Sequence, residues 1–417
     1  MRDMSTLRGS RGWLALLLGL LVMFAVPVGA SAHTALQNDD GTSLTPGAVF
    51  TESNAPTGNE VHAFNRAADG TLTPAGTYST GGTGSVGGGP LGFPVLDSAG
   101  PVQLARDGDN RACLFAVNAG SNSVASFRVT PDGLQLADVK NSGGIRPASL
   151  TSTQAGEGLI MYVLNESHTG SSIQGFYVSA SCSLTPIPGS NRPTANPAAF
   201  AAQISFSPRG NVLAVSERTA PIIDIFPVDG NGVAGAPTTS VDANLEPYGL
   251  AWTRRRGNDI LTVSEGAFPN IAASTASTFR LEGTTLVHLD SKPSPGAACW
   301  NRVTNNNKFL YVSSPAAGFN TPFGFIPGMN ENAYFIAHDG TLTQVDGKQT
   351  NHSSTDNALS HDSQYLYVLS NALFEGVPPP GVSALNEYRI DQATGKMTPI
   401  GAIDGLVGSQ YSGLAAW

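Results

Sequence analysis

The sequence predicts an all-β protein built from repeated copies of one unit. Short runs rich in Val, Ile, Phe and Tyr alternate with Asp-Gly and Asn-Gly turns, a pattern typical of β-hairpins. After the N-terminal segment, no long stretch has the 3.6-residue period of an amphipathic helix. An apolar run, a polar residue, a short loop and a second apolar run recur at intervals of about 50 residues, a period found in arrays of small sheets.

The first 32 residues have the features of a signal peptide. Three arginines precede an apolar run from Trp13 to Val26, and Ala30-Ser31-Ala32 provides a small-residue cleavage pattern. The run is short for a bilayer span. We therefore expect cleavage after Ala32, export to the periplasm or the medium, and one mature domain over residues 33–417 without a membrane span. An uncleaved membrane anchor is the alternative.

Seven copies of the unit can be aligned, and they begin at Ala48, Leu114, Met161, Leu213, Leu261, Leu310 and Leu366. A polar column ends the first apolar run of each copy: Ser53, Asn118, Asn165, Glu217, Glu265, Ser314 and Ser370. Units of this length made wholly of strands are typical of propeller blades, because one small sheet cannot bury its faces alone. We predict a seven-bladed β-propeller. A two-sheet sandwich, the alternative, fits seven copies poorly.

The C-terminus is predicted to close the ring. A further short strand precedes several units, as in AQISFS from Ala202, YGLAWT from Tyr248 and ACWNRV from Ala298, but the first unit has none. The last residues, SGLAAW ending at Trp417, closely match YGLAWT. We expect this C-terminal strand to supply the missing inner strand of the first blade, which removes exposed sheet edges.

Composition limits the classes of partner. Of 417 residues, 41% are apolar and 13% charged, with a formal net charge of −9. The acidic balance argues against nucleic-acid binding, which needs clustered positive charge. Apolar residues are numerous enough for a large core. We expect an acidic, soluble monomer.

Three cysteines, Cys113, Cys182 and Cys299, leave at least one outside any internal disulfide. None lies in a C-x-x-C pattern, which makes zinc and redox sites poor interpretations. Cys113 and Cys299 lie in apolar runs, where a thiol behaves as a small hydrophobic group. We expect buried thiols and a fold that does not depend on disulfides.

The polar column contains the candidate catalytic groups. Equivalent positions in a propeller form a ring, so the column is expected to circle one mouth of the axial channel. Neighbouring blades place Glu217 and Glu265 there, and paired carboxylates can divide acid and base roles. The alternative is that these residues only cap strand ends and bind turn amides, the preferred interpretation for the Asn and Ser members.

Repeats such as LFAVNAGSNSVASFRV, FSPRGNVLAVSE and NNKFLYVSS resemble those of the lactonase-type seven-bladed β-propellers. This family includes 6-phosphogluconolactonases and 3-carboxy-cis,cis-muconate lactonizing enzymes, often called 3-carboxymuconate cyclases. The resemblance extends from about Gly47 to Trp417. It implies a channel in which a histidine, arginines and a glutamate act on a lactone or its carboxylate.

The resemblance also implies roles for single residues. Glu217 falls at, or within one residue of, the family glutamate. Arg218, which follows it, and Arg302 are candidates to bind a substrate carboxylate through the planar guanidinium. Asn165 and His168, at a strand end and in the loop after it, are further candidates for substrate contact.

Other family positions differ. Ala201-Ala202-Gln203 stands where the family has Pro-Arg-His, Pro147-Ala148-Ser149 where its histidine is expected, and Ser314-Pro315 where an arginine follows a strand. Few cations therefore remain to bind a sugar phosphate.

Other kinds of site have weak signals. The histidines show neither H-x-H nor H-E-x-x-H spacing, and no G-x-S-x-G motif is present, so we predict no metal, no cofactor and no serine hydrolase. The run Arg254-Arg255-Arg256 precedes a turn, and a solvated hairpin explains it better than an anion site.

Two functional hypotheses follow. The first is an exported lactonase-type hydrolase or muconate cycloisomerase-like enzyme, which opens or closes a small carboxylated lactone by general acid–base catalysis at the channel. Such a reaction needs proton transfer and anion stabilisation, for which no metal or cofactor is required. The second is a non-catalytic extracellular propeller that binds a protein or a glycan.

Overall fold

The computed structural model describes residues 47–85, 96, 98–109, 111–156, 158–167, 170–241, 245–373, 382–407 and 411–417. The segment expected to be a signal peptide and the candidate His168 lie outside these residues. The described chain is almost entirely β, with one short 3-10 helix at Ile271–Ala273. None of its helices is long and apolar enough to span a bilayer.

The sheets form the seven blades predicted from the sequence, and the strands of each blade follow one another outward from the axis. Blade one contains β1 (Ala48–Glu52), β2 (Glu60–Arg66) and β3 (Leu72–Ser79). Blade two contains β4 (Val102–Arg106), β5 (Ala112–Asn118), β6 (Ser123–Thr130) and β7 (Gly133–Asn141). Blade three contains β8 (Pro147–Ala155), β9 (Gly158–Asn165), β10 (Ser172–Val178) and β11 (Leu184–Pro186), with β12 (Arg192–Pro193) also paired to β10.

The later blades keep this order. Blade four contains β13 (Ala201–Phe206), β14 (Val212–Glu217), β15 (Ile222–Pro227) and β16 (Thr238–Val241). Blade five contains β17 (Glu246–Arg255), β18 (Asn258–Gly266), β19 (Thr275–Glu282) and β20 (Thr285–Pro293). Blade six contains β21 (Trp300–Val303), β22 (Phe309–Ser313), a small hairpin of β23 (Asn320–Thr321) and β24 (Gly324–Phe325), β25 (Glu331–Ile336) and β26 (Leu342–Lys348). Blade seven contains β27 (Ser353–Leu359), β28 (Tyr365–Asn371), β29 (Val382–Ile390) and β30 (Met397–Val407).

The last strand, β31 (Ser412–Ala416), closes the ring as predicted. It pairs antiparallel with β1 and provides the innermost strand of blade one. The Trp417 amide donates to the carbonyl of Ala48 over 2.8 Å, and its carbonyl accepts from Nε of Arg66 over 2.9 Å. The indole is stacked on the His361 ring at 4.1 Å and contacts the Arg106 guanidinium at 3.4 Å. These contacts fix the C-terminus to blades one, two and seven.

The core is a ring of interfaces between blades. Every residue of β5 and β28 is buried, because each second strand packs between two neighbouring blades. Phe115 of blade two packs in one cluster with Met161 and Phe176 of blade three. Hydrophobic burial is therefore spread around the axis, and the axis itself is left for a cavity.

The expectation that Cys113 is a buried thiol is wrong. Cys113 in β5 and Cys182, in the turn between β10 and β11, form a disulfide with a Cα–Cα distance of 5.7 Å. Their 69-residue separation hides this pairing in the sequence, but adjacent blades bring the two positions together. Cys299 is buried and lies outside the disulfide, as expected.

Removing this bridge is expected to destabilise the protein. The double variant Cys113→Ala/Cys182→Ala should lose roughly 2–4 kcal/mol, because the unfolded chain regains the freedom of a long loop. Denaturant unfolding with and without a thiol reductant measures this. Reductant should lower the stability of the wild type and leave the variant unchanged. Equal stability of the two proteins under oxidising conditions would contradict the expectation.

Candidate functional site

The polar column lies at one face of the ring. Each of its seven residues is at, or within one residue of, the end of the second strand of a blade. In each blade the first, innermost strand runs antiparallel to the second. The first strand therefore begins at the face where the second strand ends, as the pairings of Ala201 with Glu217 and of Trp300 with Ser313 show. We call this the upper face, and we call the opposite one, where the first strands end, the lower face.

A short buried segment crosses the channel at the upper face. These residues, 98–100, belong to the connection between blades one and two and are called the cap. The Ala99 amide donates to the carbonyl of Ala202 over 3.1 Å, and the Ser98 hydroxyl donates to the carbonyl of Ala148 over 2.6 Å. The Trp300 indole donates to the carbonyl of Ser98 over 2.9 Å. The cap is thus bonded to the first strands of blades three, four and six.

Close packing keeps the cap in place. The Leu150 amide donates to the carbonyl of Gly100 over 2.9 Å. Gly100 has φ of +76°, a conformation that glycine adopts without steric cost. Near the cap, the buried rings of Tyr248 and Trp300 form an edge-to-face pair 5.1 Å apart. The upper mouth of the channel is therefore filled by protein.

Glu217 is fully buried and is paired with a second carboxyl group. Its Oε1 accepts from the Asn196 amide over 3.2 Å. Burial, and then the neighbouring Asp224 carboxylate, raise the pKa of Glu217 to about 8. Burial also raises the pKa of Asp224, against the Ala195 amide that donates to it over 2.6 Å. The protonated Glu217 donates to Asp224, and the pair binds the loop after β12.

The other upper-face candidates also make contacts within the fold. Glu265 is 2% exposed, and its Oε2 accepts from the hydroxyls of Thr275 and Ser277 on β19. The Arg218 guanidinium packs 4.8 Å from the centre of the Tyr248 ring. Asn165 donates from Nδ2 to the carbonyl of Ser142 over 3.0 Å. No hydrogen bond among the described residues joins Glu217 to Glu265, and each binds groups of its own blade or of the loop beside it.

A cavity of about 430 Å³ occupies the axis on the other side of the cap. Its wall includes residues from the first strands of all seven blades, β31 among them, and Gly100 of the cap. The volume lies within the range of roughly 300–1,000 Å³ that is usual for small-molecule sites. The lining mixes apolar side chains with the polar groups of Gln103, Thr151, Ser205 and Arg302.

Arg302 is the predicted site residue that lines this cavity. Its Nη2 lies 3.6 Å from Oδ1 of Asp356, on the neighbouring first strand β27. Burial raises the pKa of Asp356 to about 6, while Arg302 and nearby backbone amides, those of Gly100 and Leu414 included, oppose the rise. Because Gly100 and Leu414 line the cavity, the carboxyl lies directly behind its wall. The axis thus holds a cation next to a carboxyl whose pKa of about 6 lies well above the ordinary value of Asp.

Polar atoms without a hydrogen-bond partner lie on residues that line the cavity. Oε1 of Gln103 and Nε1 of Trp252 are buried and have no partner among the described residues. Such groups destabilise the fold unless water or a ligand satisfies them. No group of three or more His, Cys, Asp and Glu residues in the described part of the chain is arranged to bind a metal. The chemistry available on the axis is that of an anion-binding cation, a carboxyl group and polar side chains.

Solved structures of similar fold include lactonases. A candidate 6-phosphogluconolactonase from Bacteroides fragilis is 17% identical, with a TM-score of 0.63 over 91% of this chain and 100% of that one. The periplasmic gluconolactonase of Pseudomonas aeruginosa is also 17% identical, with a TM-score of 0.63 over 89% and 98%. A hypothetical selenium-binding protein from Sulfolobus tokodaii is 11% identical, with a TM-score of 0.62 over 89% and 93%.

This likeness confirms the lactonase-type seven-bladed propeller as a fold. At these identities it does not carry an activity, because one fold supports many functions. No protein-family model matches the sequence, and no curated protein matches it significantly.

Three parts of the site were missed in the sequence analysis. Asp356 stands in the polar stretch SSTDNALS, which has no recognised motif, and Asp224 lies within the apolar run IIDIFP. The cap follows a Gly- and Pro-rich connection, a composition typical of a loop. A buried Asp inside an otherwise apolar strand was the one available hint, since ionised groups are rarely buried without a partner.

The Glu217–Asp224 pair predicts a pH dependence of stability. Folded Glu217 keeps its proton up to about pH 8, whereas the unfolded side chain ionises from its ordinary value of 4.5. Folding therefore takes up protons between these values, and rising pH destabilises the fold. Thermal unfolding should show a midpoint that falls between pH 5 and pH 8.

The variant Glu217→Gln should show a smaller fall, because the amide cannot ionise. Part of the fall should remain, since burial raises the pKa of Glu331 to about 8 and that of Glu387 to about 7, with the same sign. Identical pH profiles for the variant and the wild type would contradict the pairing.

Proposed function

We propose that this protein is an exported lactonase-type enzyme that opens or closes a small carboxylated lactone in the axial cavity. The observation that carries the proposal is Arg302, a cation in the wall of a cavity of small-molecule size. A guanidinium binds a carboxylate through two parallel hydrogen bonds. Lactonases named among the structures of the same fold support a lactone as the substrate, and the carboxylate on it is argued from Arg302 alone.

Asp356 is the group we propose for proton transfer. In hydrolysis, its carboxylate accepts a proton from the water that attacks the lactone carbonyl. The ring C–O bond then breaks, and the alkoxide that leaves takes the proton back from Asp356. A pKa near the working pH suits a group that must first accept and then donate a proton. Arg302 holds the substrate carboxylate during both steps.

The earlier assignment to Glu217 and Glu265 has weaker support. The hydrogen bonds of Glu217 and Glu265 join the loop after β12 and strand β19, whereas Asp356 is paired with Arg302 of the cavity wall. The same facts favour the second candidate function, a non-catalytic exported propeller, because they leave the upper face without an accessible catalytic group.

Export is part of the proposal. The N-terminal sequence has the pattern of a signal peptide, and the Cys113–Cys182 disulfide is typical of proteins outside the cytosol. N-terminal sequencing of the protein recovered outside the cytoplasm should begin at His33. A protein that retains Met1 in the cytoplasm would contradict this part.

Hydrolysis of a panel of aldonolactones and muconolactones tests the catalytic proposal. For the muconolactones, which carry a free carboxylate beside the ring, Arg302→Gln should lower kcat/KM at least about tenfold, mostly through KM, because carboxylate binding is lost. Asp356→Asn should lower kcat by roughly 10²–10⁴-fold, the usual contribution of a general base. The matched control is Arg280→Gln, an arginine on β19 paired with exposed Glu282, which should leave both constants unchanged.

Two outcomes would overturn the proposal. Activity that survives Asp356→Asn but is lost in Glu217→Gln would return proton transfer to the upper face. No turnover of any lactone by a folded wild type would favour the non-catalytic propeller. Circular dichroism of each variant separates loss of activity from loss of fold.

A further inference from the structure

Exposure along the cavity wall increases from the cap to the lower face. Near the cap, Val102, Ile204 and Leu250 are buried. At the other end the wall includes the exposed Pro208 and Asn305. Half-buried Trp252, Leu359 and Ala416 complete this end, and these five residues are called the lower mouth. The cavity is therefore closed at the cap and open at the lower face.

Two arginines lie beside the lower mouth and are called the arginine cluster: Arg209 and Arg254. Arg209 follows Pro208, and Arg254 is two residues beyond Trp252. The side chains of Arg209 and Arg254 are about half exposed, and both bond to one carboxylate, that of Asp259, at 3.4 and 3.2 Å.

Two cations paired with one carboxylate leave this side of the mouth locally positive. That sign is unusual on a chain whose formal net charge is −9. A charged rim around a cleft focuses the field and raises the rate at which ions of opposite sign arrive. The sequence predicted that the arginine run before this turn is only solvated. In the structure, the run lies where its charge can attract an approaching anion.

We propose that small anionic ligands enter and leave the axial cavity through the lower mouth, guided by the arginine cluster, while the cap permanently closes the upper face. Arg302 then binds the carboxylate of the ligand within the cavity. The identity of the ligand as a carboxylated lactone or its product rests on the proposed function. The route of access does not, because it follows from the cap, the exposure of the wall and the position of the cations.

Thiol labelling of the mature chain tests this route without any need for turnover. Ser205 is a half-buried residue of the cavity wall, so Ser205→Cys places a thiol inside. The probes are an anionic sulfonatoethyl methanethiosulfonate and neutral methyl methanethiosulfonate. Wild-type protein gives the background, since Cys299 is buried and the other two cysteines are in the disulfide.

Both probes should label Ser205→Cys. Adding Asn305→Trp, which narrows the lower mouth, should lower the labelling rates of both probes severalfold. Replacing the arginine cluster with glutamines should slow only the anionic probe, by about tenfold at low salt, and added salt should erase the difference. The matched control is Trp300→Phe, which removes the indole bond to the cap and should leave both rates unchanged.

Faster labelling in Trp300→Phe, with no effect of Asn305→Trp, would show access through the upper face and overturn the proposal. A thiol at position 205 that neither probe labels would also overturn it, because the cavity would then be closed to solvent. Equal effects of the arginine variants on both probes would remove the steering role. Normal labelling together with absent lactone hydrolysis would leave the route intact and reject only the enzymatic function.

Discussion

Closure of the ring by β31 is the constraint on which the other features depend. The strand completes blade one, and its residues Leu414, Ala415 and Ala416 form part of the cavity wall. Without it, blade one would lack its innermost strand, and β1 would present an unpaired edge. The contacts of Trp417 with Arg66, Arg106 and His361 hold this last strand in register.

The cap gives the two faces different roles. At the upper face, buried polar groups bind loops and strand ends, and the Glu217–Asp224 pair is the clearest case. On the axis, Arg302 lies in the wall of the cavity and Asp356 lies behind it. We propose that the chemistry of this cavity depends on the groups of two adjacent first strands, β21 and β27.

The sequence allowed the fold to be predicted in detail because a propeller is a local pattern repeated. The unit that starts at Leu213 and the match between SGLAAW and YGLAWT both concern short segments, and both predictions are confirmed. The disulfide, the cap and the Arg302–Asp356 pair were not foreseen, because each joins residues of different blades. Register between blades depends on how the ring packs, and one sequence contains no direct signal of it. Glu217 was correctly located at a strand end, but its partner Asp224 could not be read from spacing.

We propose that the axial cavity is the ligand site and that Arg302 binds the carboxylate. Soaking crystals of the mature protein with an aldonate such as gluconate tests this proposal. Ligand density is expected below the cap, with the carboxylate against the Arg302 guanidinium, and no such density is expected in Arg302→Gln. Density beside Glu217 at the upper face, with an empty cavity, would contradict it.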